Sequence, residues 1–119
     1  MKTEFTTFRV KEGKEERAKA WMEILTRRRL ECVATLDREK MYYESIFLSY
    51  REGRMFLSWY SVQGEDGRDV ASSEHEIDKI HLEFWHECID LDWPPEDLTH
   101  VVSFVPEFVQ KAIDKGFDS

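Results

Sequence analysis

The stretch that most restricts the fold is MYYESIFLSYREGRMFLSWYSV, residues 41–62. It holds two β-rich runs, Lys40 to Tyr50 and Met55 to Val62, joined by Arg51-Glu52-Gly53-Arg54. A short connection bearing Gly between two such runs predicts a hairpin. Neither face of that hairpin is polar. In the first strand Met41, Tyr43 and Phe47 point one way, and Tyr42, Ile46, Leu48 and Tyr50 the other. In the second, Met55, Leu57 and Trp59 oppose Phe56, Tyr60 and Val62. An antiparallel sheet with one wet side alternates apolar with polar residues. Both sides of this one need covering, and the chain has helices enough for one.

The remaining elements follow from periodicity. Thr3 to Val10 alternates as a first strand, with Phe8 and Val10 on one face and Phe5 on the other. After the turn Lys11–Lys14, a single helix is predicted from Glu15 to Leu36. Ala18, Trp21, Met22, Leu25, Cys32, Val33 and Leu36 form its apolar stripe, with Arg29 set in the middle. A polar loop from Gln63 to Ser72 leads to Ser73, which with Glu76 reads as a capping box for a helix from Glu74 to Asp90. Pro94-Pro95 follows. Leu98 to Val105 alternates as a fourth strand, Pro106 opens a short last helix, and Gly116 lies just past its end.

The order βαββαβ plus a terminal helix is the split βαβ arrangement. It predicts a ferredoxin-like α+β fold, residues 1–119 as one domain, with a four-stranded antiparallel sheet and two helices on one face. The uncovered face carries aromatics, and a two-fold homodimer joined sheet to sheet is the simplest way to bury it.

Composition excludes several partners. With 25 acidic against 17 basic residues and a net charge of −8, the chain repels phosphate backbones, so no nucleic-acid partner is expected. The same field disfavours anionic lipid. No apolar window is long enough to span a bilayer, and MKTEFTTFRV lacks an apolar signal region, which predicts a cytoplasmic protein. Cys32 and Cys88, each in an apolar helical stripe, read as buried thiols in a reducing compartment.

FRVKEGKEERAKAWMEIL, MYYESIFLSYREGRMFLSWYSV, EIDKIHLEFWHECIDLDWPPEDL and VVSFVP together resemble a small bacterial family of unknown function. That resemblance spans nearly the whole chain and implies a dimeric α+β barrel, the superfamily of antibiotic-biosynthesis monooxygenases and sugar mutarotases. The arrangement is similar to that of rhamnose mutarotase, whose acid–base histidine lies four residues before the helix tryptophan. Aligned on Trp21, that position is Arg17 here, so the imidazole of that chemistry is missing.

Candidate chemistry concentrates in SEHEIDKIHLEFWHE, residues 73–87. A helix-borne metal pair needs histidines four apart on one face. At about 100° per residue, His75 and His81 stand roughly 240° apart, and His81 and His86 roughly 140°. No two share a face, so no metal is expected, and no glycine loop or nucleophile motif calls for a cofactor. His81 follows Ile77 by four and precedes Phe84 by three, so it points to the core. Asp78 lies one turn before it and Trp85 one turn after. An imidazole beside a carboxylate is what a general base needs, but it is equally a satisfied core histidine. Arg29 projects toward the space between helices and sheet, or snorkels to the helix edge. Tyr43, Trp59 and Tyr60 wall a pocket beneath the helices or join a dimer core, their opposite parities dividing them between the two.

The sequence therefore leads to a protein that binds a small molecule between helices and sheet. His81 and Asp78 are the candidate catalytic pair, and Arg29, Trp85, Tyr43, Trp59 and Tyr60 the candidate ligand contacts. Two alternatives stay open: a cofactor-free isomerase or monooxygenase using His81 with Asp78, and a protein-interaction module. Whether any reaction is catalysed is not written in these residues.

Overall fold

In the computed structural model, residues 1–64 and 73–116 are described. The first elements are β1 (Lys2–Arg9), α1 (Glu15–Arg27), α2 (Arg29–Leu36) and β2 (Met41–Arg51). They are followed by β3 (Arg54–Gln63), α3 (Glu76–Cys88), β4 (Glu96–Asp97) and α4 (Glu107–Lys115). The sheet order is β2-β3-β1-β4, every neighbouring pair antiparallel. This is the predicted ferredoxin-like sheet.

The hairpin forms as its sequence requires. Arg51 pairs with Arg54, and Glu52 and Gly53 both take positive φ, 50° and 78°. That is the type I′ geometry, whose twist matches the flanking strands. The register sets the two faces. Ile46, Trp59 and Thr6 line up across the sheet on the helix side, whereas Ser45, Tyr60 and Phe5 line up on the other.

The core lies between sheet and helices. Trp21 of α1 is wholly buried among Val10, Ala18, Leu57, Phe84, Cys88 and Ile89. Phe8 meets the Trp85 ring edge-on at 4.6 Å. The end of α3 is tied to the end of β1: Arg9 Nη2 donates to Asp90 Oδ2 at 2.8 Å, and the Asp90 amide donates to the Arg9 carbonyl at 2.8 Å.

Three boundaries differ from the sequence expectation. The long helix Glu15–Leu36 is two helices, broken at Arg28 (φ −100°, ψ 31°). The Arg28 guanidinium holds Glu31 at 2.7 Å and reaches Glu76 of α3 at 3.7 Å, so the break joins the start of α2 to the start of α3. Beyond it the apolar stripe changes direction: Thr35 is buried, while Val33 and Leu30 are exposed. The second long helix begins at Glu76 rather than Glu74. Ser73 Oγ accepts the His75 amide at 3.0 Å, and Ser73 shapes the approach two residues before the N-cap.

The third difference is the fourth strand. Only Glu96 and Asp97 pair with β1, at Thr7 and Thr6, and the Leu98 amide adds one bond to the Phe5 carbonyl. Residues 98–105, predicted as strand, have no regular pairing, and Val101 and Phe104 are 87% and 91% exposed. Alternation shows that one side of a segment is to be buried. It does not show that the same chain does the burying. α4 follows with Pro106 at its N-cap and no buried residue.

Candidate functional site

A cleft of about 1540 Å³ opens between the helices and the sheet. The helices contribute Arg29, Cys32, Asp78, His81 and Trp85, and the sheet contributes Glu4, Glu44, Trp59, Ser61 and Gln63. Four of the expected site residues from separate parts of the chain thus share one cavity with His81: Asp78, Trp85, Arg29 and Trp59. Tyr43 and Tyr60 do not. Their rings meet edge-on at 5.8 Å on the opposite sheet face, where Phe5 also packs on Phe47 and Tyr60. Their parity relative to Trp59 puts them there: Trp59 and Tyr60 are adjacent, and neighbours in a strand point to opposite faces.

His81 is held by a partner 60 residues away. The Trp21 indole Nε1–H donates to His81 Nδ1 at 3.0 Å, with ring centroids 5.3 Å apart. An indole nitrogen only donates, so Nδ1 must be the bare acceptor and the proton of the neutral ring sits on Nε2. Trp21, not Asp78, therefore sets the tautomer. Burial pushes the His81 pKa down, against the opposing pull of the Asp78 charge. The neutral ring presents an N–H donor at Nε2, and no protein group among the described residues takes it. Protonation at Nδ1 would cost the imidazole its bond with Trp21.

Below His81 the sheet carries polar groups that no reading of the helix reveals. Glu44 of β2, Ser61 of β3 and Glu4 of β1 stand in one register row. Gln63 Nε2 donates to Glu4 Oε2 at 3.0 Å and to Ser61 Oγ at 2.9 Å. Glu44 is open to the cleft yet enclosed by its walls, and that enclosure raises its pKa, the Asp78 charge adding to the effect. The Cys32 thiol is likewise pushed up, first by burial and then by Asp78 and Glu44. Asp78 is only 6% exposed, and its Oδ2 has no hydrogen-bond partner among the described residues.

Glu44 was detectable in the sequence as the one charge in the row Tyr42, Glu44, Ile46, Leu48. Trp21 as a hydrogen-bond partner was not, because the indole N–H leaves no mark on spacing. His75 and His86 are exposed, away from His81. Among the described residues no group of three or more His, Cys, Asp or Glu side chains is arranged to hold a metal ion. Arg17, at the position of the missing imidazole, lies outside the cleft. It holds Glu87 at 3.1 Å and covers the Phe84 ring at 4.5 Å.

Sheet order and helix placement define a ferredoxin-like α+β protein with a cleft between its layers. A model described as a family of unknown function (DUF6176) matches residues 1–111, and the chain belongs to that family. Among solved structures it is similar to an L-rhamnose mutarotase from Formosa agariphila, with a TM-score of 0.52 and 19% identity. The similarity covers 90% of this chain and 100% of that one. At that identity the likeness establishes the fold. The chain matches none of the curated protein sequences.

Proposed function

We propose that this protein binds a small organic molecule in the cleft between its helices and its sheet. The observation that carries the reading is the His81 arrangement: a buried indole fixes the ring and leaves a pre-oriented N–H donor on a cavity walled by Trp59 and Trp85. Concave, largely apolar cavities with a few fixed polar groups are how proteins hold ligands. Mass spectrometry of freshly purified protein, sprayed first under native and then under denaturing conditions, tests it. A co-purified small organic mass that leaves on denaturation is expected. Protein that carries no such mass, and whose melting temperature no small molecule raises, contradicts it.

A cofactor-free enzyme of isomerase or monooxygenase type is the second reading. It is favoured by the presence of His81, Asp78 and Glu44 in one cavity. The structural neighbour is an L-rhamnose mutarotase, so magnetisation-transfer NMR on that sugar is the direct check. The binding reading expects no acceleration of anomer exchange, and acceleration lost in His81→Gln establishes catalysis.

The opposite sheet face is read as the interface with a second copy of this chain. Phe5, Tyr43, Phe47 and Tyr60 form a contiguous aromatic patch there, and residues 98–108 add exposed Leu98, Val101, Val102, Phe104 and Phe108. The radius of gyration, 15.3 Å, exceeds the roughly 13.5 Å of a compact chain this long, consistent with a C-terminal segment that packs on another subunit. Sedimentation velocity is expected to show a dimer, and a monomer at all concentrations overturns this reading. Two free cysteines suit the reducing cytoplasm, and no helix among the described residues is long and apolar enough to cross a membrane.

A further inference from the structure

The unpartnered carboxylate of Asp78 sits where a structural role would have given it a partner. Asp78 is the third residue of α3, the position from which an acidic side chain commonly reaches back to the N-cap amide. That amide, His75 N–H, is already taken by Ser73 Oγ at 3.0 Å. The nearby guanidinium is also engaged elsewhere: Arg28 holds Glu31 and Glu76. Asp78 Oδ2 is thus withdrawn from water with no donor among the described residues, and the residue borders the cleft.

Glu44 lines the same cavity from the sheet, close enough for the Asp78 charge to act on it. Among the described residues, the carboxylate side chains lining the cleft are Glu4, Glu39, Glu44 and Asp78, against the cationic side chains of Lys2 and Arg29. Lys2 is bound to Glu4 at 2.7 Å. Two carboxylates lining one cavity, with no cation among the charges that act on Glu44, repel an anion and gain from a positive charge placed beside them. Trp59 and Trp85 line the same cavity and supply ring surface for the apolar part of such a ligand.

We infer that Asp78 and Glu44 form an ammonium-binding floor, so that the cleft takes an organic amine whose apolar part lies against Trp59 and Trp85. The ammonium hydrogens supply the donors that Asp78 Oδ2 lacks, and the positive charge relieves the repulsion between the two carboxylates. His81 Nε2–H remains available for an acceptor atom elsewhere on the ligand. This inference rests on the small-molecule reading above.

Three probes of one shape and different charge test it: benzylammonium, benzyl alcohol and benzoate, titrated into the full chain with tryptophan emission as the readout. Benzylammonium is expected to bind at least about tenfold tighter than the alcohol, with benzoate the weakest. Asp78→Asn and Glu44→Gln are each expected to remove that preference while leaving the alcohol within about twofold of its wild-type affinity. Either variant suffices if the other fails to fold, which thermal melting reports. Binding of the alcohol or benzoate as tightly as the amine overturns the ammonium floor and leaves the small-molecule reading intact. Failure of all three probes to bind overturns the floor as well, and the co-purified mass then decides the broader reading separately.

Discussion

The two faces of the sheet use the same strands differently. On β2, Glu44, Ile46 and Leu48 face the helices, while Tyr43, Ser45 and Phe47 face away. On β3, Leu57, Trp59 and Ser61 face the helices, while Phe56, Ser58 and Tyr60 face away. On the outer face Thr7 and Ser58 share a buried hydrogen bond of 2.7 Å, and Arg54 donates from Nη2 to the Val10 carbonyl at 3.1 Å while its Nε stays without a partner among the described residues. What remains open there is aromatic. Among the described residues, the helix face keeps a buried carboxylate oxygen without a donor and an imidazole N–H without an acceptor. Unfilled polar valence asks for a ligand with matching groups, and unfilled aromatic surface asks for more protein. On the reading proposed above, ligand binding falls to the helix face and assembly to the outer face.

The assignment can be broken at several strengths. Trp21→Ala should have the largest effect, a loss of about 3–5 kcal/mol in denaturant unfolding, because it empties the centre of the core and orphans His81 Nδ1. Loss of the outer face should instead spare folding. Phe47→Asp is expected to weaken the dimer by at least about 2 kcal/mol, seen by sedimentation, with circular dichroism and cleft binding unchanged. Should that variant lose ligand binding while remaining dimeric, the division of labour between the faces is reversed.

Trp21→Phe isolates the hydrogen bond from the packing. A cost of about 1–3 kcal/mol is expected, with a freed His81 ring and weaker cleft binding. The pH dependence follows from the depressed His81 pKa. In the unfolded chain the ring protonates near its ordinary value of 6.5, whereas in the folded protein it stays neutral to lower pH. Its contribution to stability is therefore complete above pH 6.5 and is lost as pH falls toward the folded pKa. Melting curves should show His81→Gln flattening the decline in stability on acidification from neutral pH.

Glu44→Gln is expected to give the smallest change, with the opposite sign. The raised carboxyl favours folding fully only below its ordinary value of 4.5, and that contribution is lost as pH rises. The glutamine variant should melt slightly higher than wild type at neutral pH and equal to it at pH 4. A lower melting temperature at neutral pH would mean that Glu44 has a cationic partner, which would remove it from the ligand floor.

The fold was largely legible in the sequence because its main signals are local. Two-residue alternation with Glu52-Gly53 between the strands specified the hairpin, and apolar residues at helical spacing located α1 and α3. Signals that depend on distant partners were not legible. The break at Arg28 comes with an ion pair to Glu76, 48 positions on and contributed by another helix. The apolar alternation of residues 98–105 looked like a fourth strand, but pairing stops after Asp97, and only the chain's own tertiary geometry shows this. Within the site, the helix period marked His81, whereas Glu44, a lone charge in an apolar row, was detectable but not singled out. The Trp21–His81 bond joins residues 60 positions apart, and no spacing rule reports it.

Hydroxyl-radical footprinting of the aromatic side chains at low and high protein concentration tests the division between the faces most directly. The account predicts that Tyr43, Phe47, Tyr60 and Phe104 lose reactivity as concentration rises, while Trp59 and Trp85 keep theirs until a ligand is added. Protection of Trp59 and Trp85 by concentration alone, with the outer face unchanged, would contradict it.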